Sequence, residues 1–322
     1  MNARNPTGME TVTACDLCGG RGFELFTLLH GAFSGRTFGI QRCESCRLMF
    51  VSPRLTAEEN LRLYSQDYFE GRGFDWSVNY ALLERTAIER RRESLGIIAK
   101  IRALRPGNDL SVLDVGCGLG DLLIELRRAG YRDVTGVELS EHAARVAHER
   151  SGAPTYVGEL LNLDVQEQRF DVINATEVLE HVRSPAAFLQ RVAQLLKPGG
   201  IFVYSTGNAD GLYARVLGKR WPYLVPEGHL FYYTPNTLRR YYERVGLTTL
   251  DVHTLPRATR RAVMRAEDEI AGAQLRYVGQ SSKGIKGAIF SLAGKFSYAH
   301  AGRLVTLAVG KYALPIGVKP KD

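Results

Sequence analysis

The stretch Val112-Leu-Asp-Val-Gly116-Cys-Gly118-Leu-Gly120-Asp121 decides the fold of this chain. It begins as a short apolar strand, passes through three glycines at alternate positions and ends where an amphipathic segment begins. Glycine tolerates positive φ angles and lets a ligand approach the backbone, and a helix N-terminus offers unpaired N–H groups. The stretch therefore predicts a strand, loop and helix that hold a ligand against the loop.

Short apolar segments alternate with amphipathic segments on both sides of this loop. Strands are predicted at Ser111–Val115, Val134–Glu138, Thr155–Val157, Phe170–Ala175, Ile201–Thr206 and Leu247–His253. Helices are predicted at Asp121–Ala129, Glu141–Arg150, Pro185–Leu196 and Thr237–Val245. Continuous apolar strands separated by amphipathic helices indicate an α/β fold with a doubly wound, mostly parallel sheet. Its ligand is expected at the carboxyl ends of the central strands.

Acidic residues near the glycines narrow the class of ligand. Glu138 ends the second predicted strand, 22 residues after Gly116, where a carboxylate can accept both hydroxyls of a ribose. A dinucleotide fingerprint has glycine or alanine at the position of Asp121, and it does not ordinarily place an acid such as Asp114 before the loop. Acids at these positions favour a ligand with a cationic centre over a pyrophosphate.

Five segments resemble, in order, the motifs of class I S-adenosylmethionine-dependent methyltransferases. These segments are Val112–Asp121, Val137–Ser140, Phe170–Ile173, Glu177–Val182 and Leu195–Gly200. The resemblance extends over about residues 85–255. It implies a Rossmann-like methyltransferase sheet, S-adenosylmethionine as the cofactor and methyl transfer as the reaction.

The same resemblance implies the cofactor contacts, position by position. Asp114 and the three loop glycines would surround the methionine moiety, and Glu138 would bind the ribose. Glu159 would lie near the adenine amino group, and Thr176 would face the methyl group. The full implied set is Asp114, Gly116, Gly118, Gly120, Glu138, Leu139, Glu159, Leu160 and Thr176, with the two leucines enclosing the adenine.

Four of the five cysteines form two C-x2-C pairs, one at Cys15 and Cys18 and one at Cys43 and Cys46. Each pair can direct two thiolates to one point, and four thiolates complete a closed tetrahedral zinc site. Two disulfides are the competing interpretation, but they need an oxidising compartment, and a redox motif needs no second pair. The pattern predicts structural zinc in a ribbon module, residues 1–55, with strands at Phe23–Leu29 and Thr37–Arg42.

The front of the chain resembles bacterial methyltransferases with an N-terminal four-cysteine zinc module, which include nucleotide-sugar C-methyltransferases. The residues that carry this resemblance are Arg42, the second cysteine pair, Phe50–Arg54, Tyr64 and Tyr68. Those sugar enzymes have a further C-terminal α/β domain, whereas about 70 residues follow the core here. A sugar or glycolipid precursor is the favoured acceptor, and a quinone-like or other secondary metabolite is the alternative.

His181 and His229 are the candidate bases that would remove the acceptor's proton, because imidazole titrates near neutral pH. His181 follows the fourth strand, and His229 lies in an insertion, residues 208–234, that is rich in proline and aromatic residues. Such a segment beside the strand ends is expected to act as an acceptor lid. Tyr223, Glu227 and Tyr68 are the predicted acceptor contacts. The alternative is that both histidines are structural.

The remaining segments complete the predicted organisation. Residues 56–107 form a helical bridge whose long helix runs from about Tyr80 to Leu104, and residues 108–255 form the methyltransferase domain. The tail, residues 256–322, is predicted to be basic and helical, since residues 257–322 carry a net charge of +8 while residues 1–256 are neutral. The tail either packs on the core or contacts anionic lipid through residues 283–312.

Charge and hydropathy also count against a membrane-spanning, a secreted and a nucleic-acid-binding protein. No run of 18 uncharged apolar residues is present, and the first 15 residues lack the pattern of a secretory signal. A cytoplasmic location is expected, with peripheral contact at the inner face of the membrane as an option. A zinc-ribbon nucleic-acid methyltransferase or binding module is the alternative from a different class. The neutral first 256 residues count against it. The sequence predicts no particular oligomeric state.

Overall fold

The computed structural model describes residues 8–64, 68, 83–165, 167–249 and 317–318. The strands are β1 (Met9–Glu10), β2 (Phe23–His30), β3 (Thr37–Cys43), β4 (Met49–Val51), β5 (Arg54–Leu55), β6 (Ser111–Val115), β7 (Asp133–Glu138), β8 (Thr155–Val157), β9 (Phe170–Thr176), β10 (Leu196–Ser205), β11 (Phe231–Tyr232), β12 (Thr248–Thr249) and β13 (Gly317–Val318). The α-helices are α1 (Ala57–Arg62), α2 (Leu83–Leu104), α3 (Asp121–Arg128), α4 (Glu141–Ser151), α5 (Pro185–Leu195), α6 (Leu212–Leu217) and α7 (Pro235–Val245).

The central sheet has the strand order β12-β13-β10-β9-β6-β7-β8. Neighbouring strands from β10 to β8 pair in parallel, and β13 is antiparallel to both of its neighbours. The predicted α/β fold with a parallel central sheet is therefore confirmed. The chain proceeds outward from β6 in one direction and from β9 in the other. This reversal places the ligand crevice at the carboxyl ends of β6 and β9.

Local capping sets the bounds of the helices around this sheet. Ser140 caps α4, and Gly152 ends that helix in the left-handed conformation. Thr234 and Thr237 form a reciprocal capping box at the start of α7. This cap explains why α7 begins at Pro235, two residues before its predicted start. The predicted Thr56 cap of α1 is also present, because its side chain accepts a hydrogen bond from the Glu59 N–H.

A second sheet, in the order β11-β4-β3-β2, lies in the front part of the chain. Its strands β2 and β3 match the two predicted ribbon strands, each extended by one residue. The edge strand β11 comes from the insertion at residues 208–234, and Phe231 pairs with Phe50 of β4. Part of the insertion is thus a strand of the front sheet, and its role as an acceptor lid stays a prediction.

The front sheet and the central sheet share one hydrophobic core. A single buried cluster includes Leu17 and Phe50 of the front part together with Leu113 and Tyr204 of the central sheet. The predicted division into a module of residues 1–55 and a domain of residues 108–255 therefore does not separate two cores. Burying these side chains together stabilises both parts at once.

The predicted helical tail, residues 256–322, lies almost entirely outside the described residues, and so does the lipid-contact segment 283–312. The described pair Gly317–Val318 corrects the prediction locally, because it forms β13 beside Ile201 and Phe202 of β10. The predicted last strand is present as Thr248–Thr249, and its remainder also lies outside the described residues. Among the helices that the structure describes, none combines the length and the apolar character needed to cross a membrane.

Candidate functional site

The glycine loop after β6 turns back on the end of β7. Gly116, Gly118 and Gly120 have φ angles of +68°, +52° and +83°, which is the left-handed region that favours glycine. The Gly116 N–H donates to the carbonyl of Val137 at 2.8 Å. A Cβ at Gly116 would lie 2.5 Å from Cγ2 of Val178, so this position has no room for a side chain.

Asp114 lies at the point where the chain reverses direction across the sheet. It pairs with Asn174 of β9, whose Nδ2 donates to Asp114 Oδ1 at 2.8 Å. The hydroxyl of Thr176 in turn donates to Asn174 Oδ1 at 3.1 Å. Burial raises the pKa of Asp114 to about 7. The structure thus connects two residues implied as cofactor contacts, Asp114 and Thr176, through a third residue that the sequence did not single out.

The Glu138 carboxylate holds the glycine loop and the start of α4 together. Its Oε2 accepts from the Gly118 N–H at 2.9 Å, and its Oε1 accepts from the Ser140 N–H at 2.9 Å. The side chain is buried, and burial raises its pKa. Each carboxylate oxygen can accept two hydrogen bonds, so both retain capacity for a ribose hydroxyl.

The residues implied around the adenine differ in exposure. Leu160 is buried, Leu139 is half-buried and Glu159 is exposed at the start of a short 3₁₀ helix, Leu160–Asn162.

Asp121 occupies the position where a dinucleotide fingerprint has glycine or alanine, and its hydrogen bonds explain why an acid stands there. It accepts from Arg90 of α2 at 2.6 Å and from Arg150 of α4 at 2.8 Å, so it ties three helices together.

An acidic cluster of the half-buried Glu177 and the buried Glu180 follows directly after β9. Glu180 is fully buried, and Glu177 has a φ of +51°, an uncommon conformation for this residue type. The Tyr223 hydroxyl donates to Glu180 Oε1 and lies 3.3 Å from Glu177 Oε2. Ser205 at the end of β10 donates to Glu177 Oε1 at 2.6 Å. Burial and the neighbouring Glu180 raise the pKa of Glu177 to about 8.

His181 and His229 lie side by side against this cluster, with ring centroids 4.8 Å apart. His229 is buried, and its ring centroid is 4.2 Å from that of Tyr223. Burial and the neighbouring His229 lower the pKa of His181 to about 3, so His181 is neutral at physiological pH. The structure therefore brings both candidate bases and Tyr223 together at the carboxyl edge of β9 and β10.

Of the other two predicted acceptor contacts, Glu227 is corrected. Its buried carboxylate accepts from the backbone N–H groups of Phe33 and Ser34, at 3.0 and 2.6 Å, in the turn between β2 and β3. It therefore joins the insertion to the front sheet. Tyr68 packs its ring 5.3 Å from the ring of Tyr64.

The four paired cysteines converge as predicted. Their sulfur atoms all lie within 4.8 Å of one another, with 3.4 Å between Cys15 and Cys46 and 3.6 Å between Cys18 and Cys43. Tetrahedral zinc with Zn–S bonds of about 2.3 Å needs sulfurs about 3.8 Å apart. The set has the donor chemistry and the spacing of a four-thiolate metal site.

Sequence reasoning missed four residues of the site: Asn174, Glu177, Glu180 and Ser205. Glu177 and Glu180 belong to the motif Glu177–Val182 that also contains His181, but the sequence alone predicts no contact with cofactor or acceptor for either glutamate. The available signal was two acids and a histidine within five residues at the end of an apolar strand. Asn174 and Ser205 carried no local signal, because only the pairing of β9 with β6 and β10 gives them their neighbours.

Comparison with known proteins agrees with this geometry. The family model described as "Methyltransferase domain" matches residues 86–252, just over half of the 322 residues. The ubiquinone biosynthesis O-methyltransferase of Pseudoalteromonas translucida is 34% identical over 151 residues, which cover 43% of this chain and 64% of that protein. The protein of the same name from Nitrobacter winogradskyi is 35% identical over 173 residues, which cover 49% of this chain and 61% of that protein. The match thus spans less than two thirds of the length of these relatives.

Solved structures are similar at lower identity. The magnesium protoporphyrin IX methyltransferase of Synechocystis PCC 6803 is 22% identical, with 59% of this chain and 91% of that chain covered and a TM-score of 0.46. An S-adenosylmethionine-dependent methyltransferase from Mesorhizobium loti is also 22% identical, with 54% and 92% covered and a TM-score of 0.45. Because the family match extends over more than half of the residues, this chain belongs to the methyltransferase-domain family, within the class I S-adenosylmethionine-dependent methyltransferases.

Proposed function

We propose that this chain transfers a methyl group from S-adenosylmethionine to an oxygen of a small, quinone-like aromatic acceptor. One observation carries the proposal: a glycine loop with nearby acids and a partly buried cluster of glutamate, histidine and tyrosine side chains both lie at the carboxyl ends of β6, β9 and β10. The names of the relatives support a quinone-like acceptor over the sugar or glycolipid precursor that the front module favoured.

The loop side of the crevice fits the cofactor. Asp114 offers a carboxylate for a cationic centre, and the three glycines leave the backbone open beside it. Glu138 has acceptor capacity for ribose hydroxyls, and Leu160 and Leu139 supply apolar walls. Thr176 lies on the next strand toward the acidic cluster, where the methyl group would face. The assignment of Glu159 to the adenine amino group stays a proposal of the resemblance alone.

The cluster side of the crevice fits the acceptor. When bound, the cofactor supplies an electrophilic methyl group. The acceptor hydroxyl loses its proton as the new carbon–oxygen bond forms and the carbon–sulfur bond breaks, so a nearby group must take that proton. His229, His181 and Glu177 are the candidates, and Tyr223 and Tyr68 are the candidate acceptor contacts. Tyr223 acts as a neutral phenol, because burial raises its pKa well above the ordinary value.

We further propose that Cys15, Cys18, Cys43 and Cys46 bind one structural zinc ion. Four thiolates fill the tetrahedral site and leave no open position for chemistry at the metal. Zinc analysis of the parent chain and of Cys43→Ser tests this assignment. One zinc per parent chain and a lower content in the variant are expected, and equal content in both would overturn it.

Two measurements test the methyltransferase proposal in order. Calorimetry with S-adenosylmethionine is expected to give saturable binding that Glu138→Ala weakens, and its absence from the folded parent chain would overturn the proposal. A panel of catechols, hydroxyquinols, nucleotide sugars and glycolipid precursors is then incubated with the cofactor. A mass gain of one methyl on an aromatic hydroxyl supports the proposed acceptor, and a gain confined to sugars would return the assignment to the other class.

A further inference from the structure

Three side chains with metal-ligating atoms converge next to the proposed acceptor site. One carboxylate oxygen of Glu180 and one ring nitrogen each of His181 and His229 all lie within 4.8 Å of one another. Three ligand atoms spread evenly at about 2.1 Å from one ion are about 3.0–3.6 Å apart. Because 4.8 Å is the upper limit of the separations here, a shift of less than about 1 Å for each donor closes the three on a single cation.

The hydrogen bonds of the two imidazoles fix which nitrogen carries the lone pair. His181 Nδ1 lies 3.1 Å from the carbonyl of Gly228 and 3.1 Å from the hydroxyl of Tyr64, which can accept as well as donate, and His229 Nδ1 lies 2.8 Å from the carbonyl of Tyr223. A carbonyl oxygen can only accept, so Nδ1 is the donor in both rings and the lone pair is on Nε2. Histidines that bind metals have this arrangement, in which the outer N–H donates to a carbonyl or carboxylate.

Glu180 provides an independent indication of a missing partner. Its side chain is fully buried, and Oε2 has no hydrogen-bond partner among the residues that the structure describes. Its other oxygen, Oε1, accepts a hydrogen bond from the hydroxyl of Tyr223. A buried carboxylate oxygen without a partner is costly, and a cation at this point would satisfy it.

We propose that Glu180, His181 and His229 bind a divalent first-row transition-metal ion, separate from the cysteine site. Two imidazoles and one carboxylate favour Mn²⁺, Fe²⁺, Co²⁺ or Zn²⁺ over Mg²⁺ and Ca²⁺, which prefer oxygen ligands. Three protein ligands leave coordination positions open. Resting on the proposed function, we infer that an acceptor with two adjacent oxygens occupies them, because such a pair can chelate one ion.

This site changes the roles of the two histidines. With both imidazoles coordinated to such an ion, they would hold the acceptor oxygen through the metal and would not serve as bases. A hydroxyl bound to a divalent cation loses its proton more readily. Glu177, which shares the Tyr223 hydroxyl with Glu180, is the adjacent carboxylate that can receive this proton.

Manganese titration followed by electron paramagnetic resonance tests the site, because the signal of free Mn²⁺ falls as the ion binds. The full-length chain keeps its cysteine zinc, which is measured separately by elemental analysis. We expect the parent chain to bind one Mn²⁺, and Glu180→Gln and His229→Gln to weaken this binding by at least about tenfold. Zinc content and the dissociation constant for S-adenosylmethionine should stay close to parental values in both variants, which shows that they are folded.

His148→Ala is the matched control, because His148 Nδ1 also lies 2.9 Å from a backbone carbonyl, that of Ala153, but outside the cluster. Its Mn²⁺ binding should equal that of the parent. Equal binding by the parent, Glu180→Gln and His229→Gln would overturn the proposal. So would a parent chain that binds S-adenosylmethionine but none of Mn²⁺, Fe²⁺, Co²⁺ and Zn²⁺ beyond the cysteine zinc. Loss of cofactor binding by the parent would instead contradict the proposed function, whatever the metal result.

Discussion

At the scale of single residues, Asp114 is expected to make the affinity for S-adenosylmethionine depend on pH. Burial raises its pKa to about 7 in the ligand-free protein, while a bound cation favours the carboxylate. Binding of S-adenosylmethionine is therefore expected to weaken by up to about tenfold for each pH unit below 7 and to level off above it. Calorimetry between about pH 5.5 and about 8.5 measures this dependence.

Asp114→Asn should remove most of this pH dependence and lower the affinity at the alkaline end. Asp133→Asn, an exposed partner of Arg169 at the start of β7, should leave the profile unchanged. A parent profile that is flat across the range would show that Asp114 does not face the cofactor's positive charge.

The glycine loop gives a second prediction for single residues. Gly116 and Gly152 have nearly the same φ, +68° and +67°, but an added Cβ at Gly152 meets nothing within 4 Å. Both alanine variants share the backbone strain, and only Gly116→Ala adds the clash with Val178. We expect Gly116→Ala to be less stable than Gly152→Ala by roughly 1–3 kcal/mol in urea unfolding.

Gly116→Ala should also lose cofactor affinity, whereas Gly152→Ala should keep it. Equal stability and affinity of the two variants would mean that the Val178 side chain moves aside without cost. The comparison separates close packing in the loop from the general cost of a side chain at positive φ.

At the scale of elements, the turn between β2 and β3 depends on one carboxylate. Glu227 is buried and accepts from the N–H groups of Phe33 and Ser34. Glu227→Gln replaces these charge-assisted bonds, so the free energy of unfolding should fall by about 1.5–3 kcal/mol. Glu243→Gln, which removes an exposed pair with Arg239 on α7, should change it by less than about 0.5 kcal/mol. A matching effect of the two changes in urea titrations would contradict the anchoring role of Glu227.

Elements also show what the sequence could predict. The bounds of β6, β8 and α5 were predicted to within one residue, because apolar periodicity and caps such as Ser184 are local signals. The pairing of β11 with β4 and the insertion of β13 beside β10 were not predicted. Both strands have two residues, and their partners are far away in the chain, so no window of sequence contains the information.

The candidate site likewise has one part that local sequence predicts and one part that depends on residues far apart in the chain. The loop side was predictable, because its glycines and Glu138 follow each other within one strand–helix–strand unit. The cluster side joins residues from β9, β10 and the insertion, and the hydrogen bonds of Tyr223 to Glu177 and Glu180 span 46 and 43 residues. His181 is predicted from its place after the fourth strand, and His229, Tyr223 and Glu227 are predicted from the proline- and aromatic-rich insertion. The Glu227 carboxylate faces the front sheet, because a place in that insertion does not fix the direction of a side chain.

At the scale of the whole molecule, the shared core joins the cysteine site to the methyltransferase sheet. Cys15, Cys43 and Cys46 belong to the same buried cluster as Ile173 and Phe202 of the central strands. Asp16, between the first two cysteines, accepts from Ser184 at the start of α5 and from Tyr241 of α7. The front part is therefore packed on the central sheet through both apolar and polar contacts.

This packing predicts that zinc removal destabilises the entire molecule and not the front part alone. A zinc site that binds only the folded state adds its binding free energy to stability, and a common core transmits that change to the sheet. Treatment with a strong chelator should lower the melting temperature measured from the helical circular-dichroism signal. It should lower equally the temperature at which S-adenosylmethionine binding is lost. Cys43→Ser should do the same without chelator, whereas Cys117→Ser, outside the cysteine cluster, should keep the response to chelator. Separate transitions, with the helical signal unchanged by the chelator, would show that the two parts unfold independently despite the contacts between them.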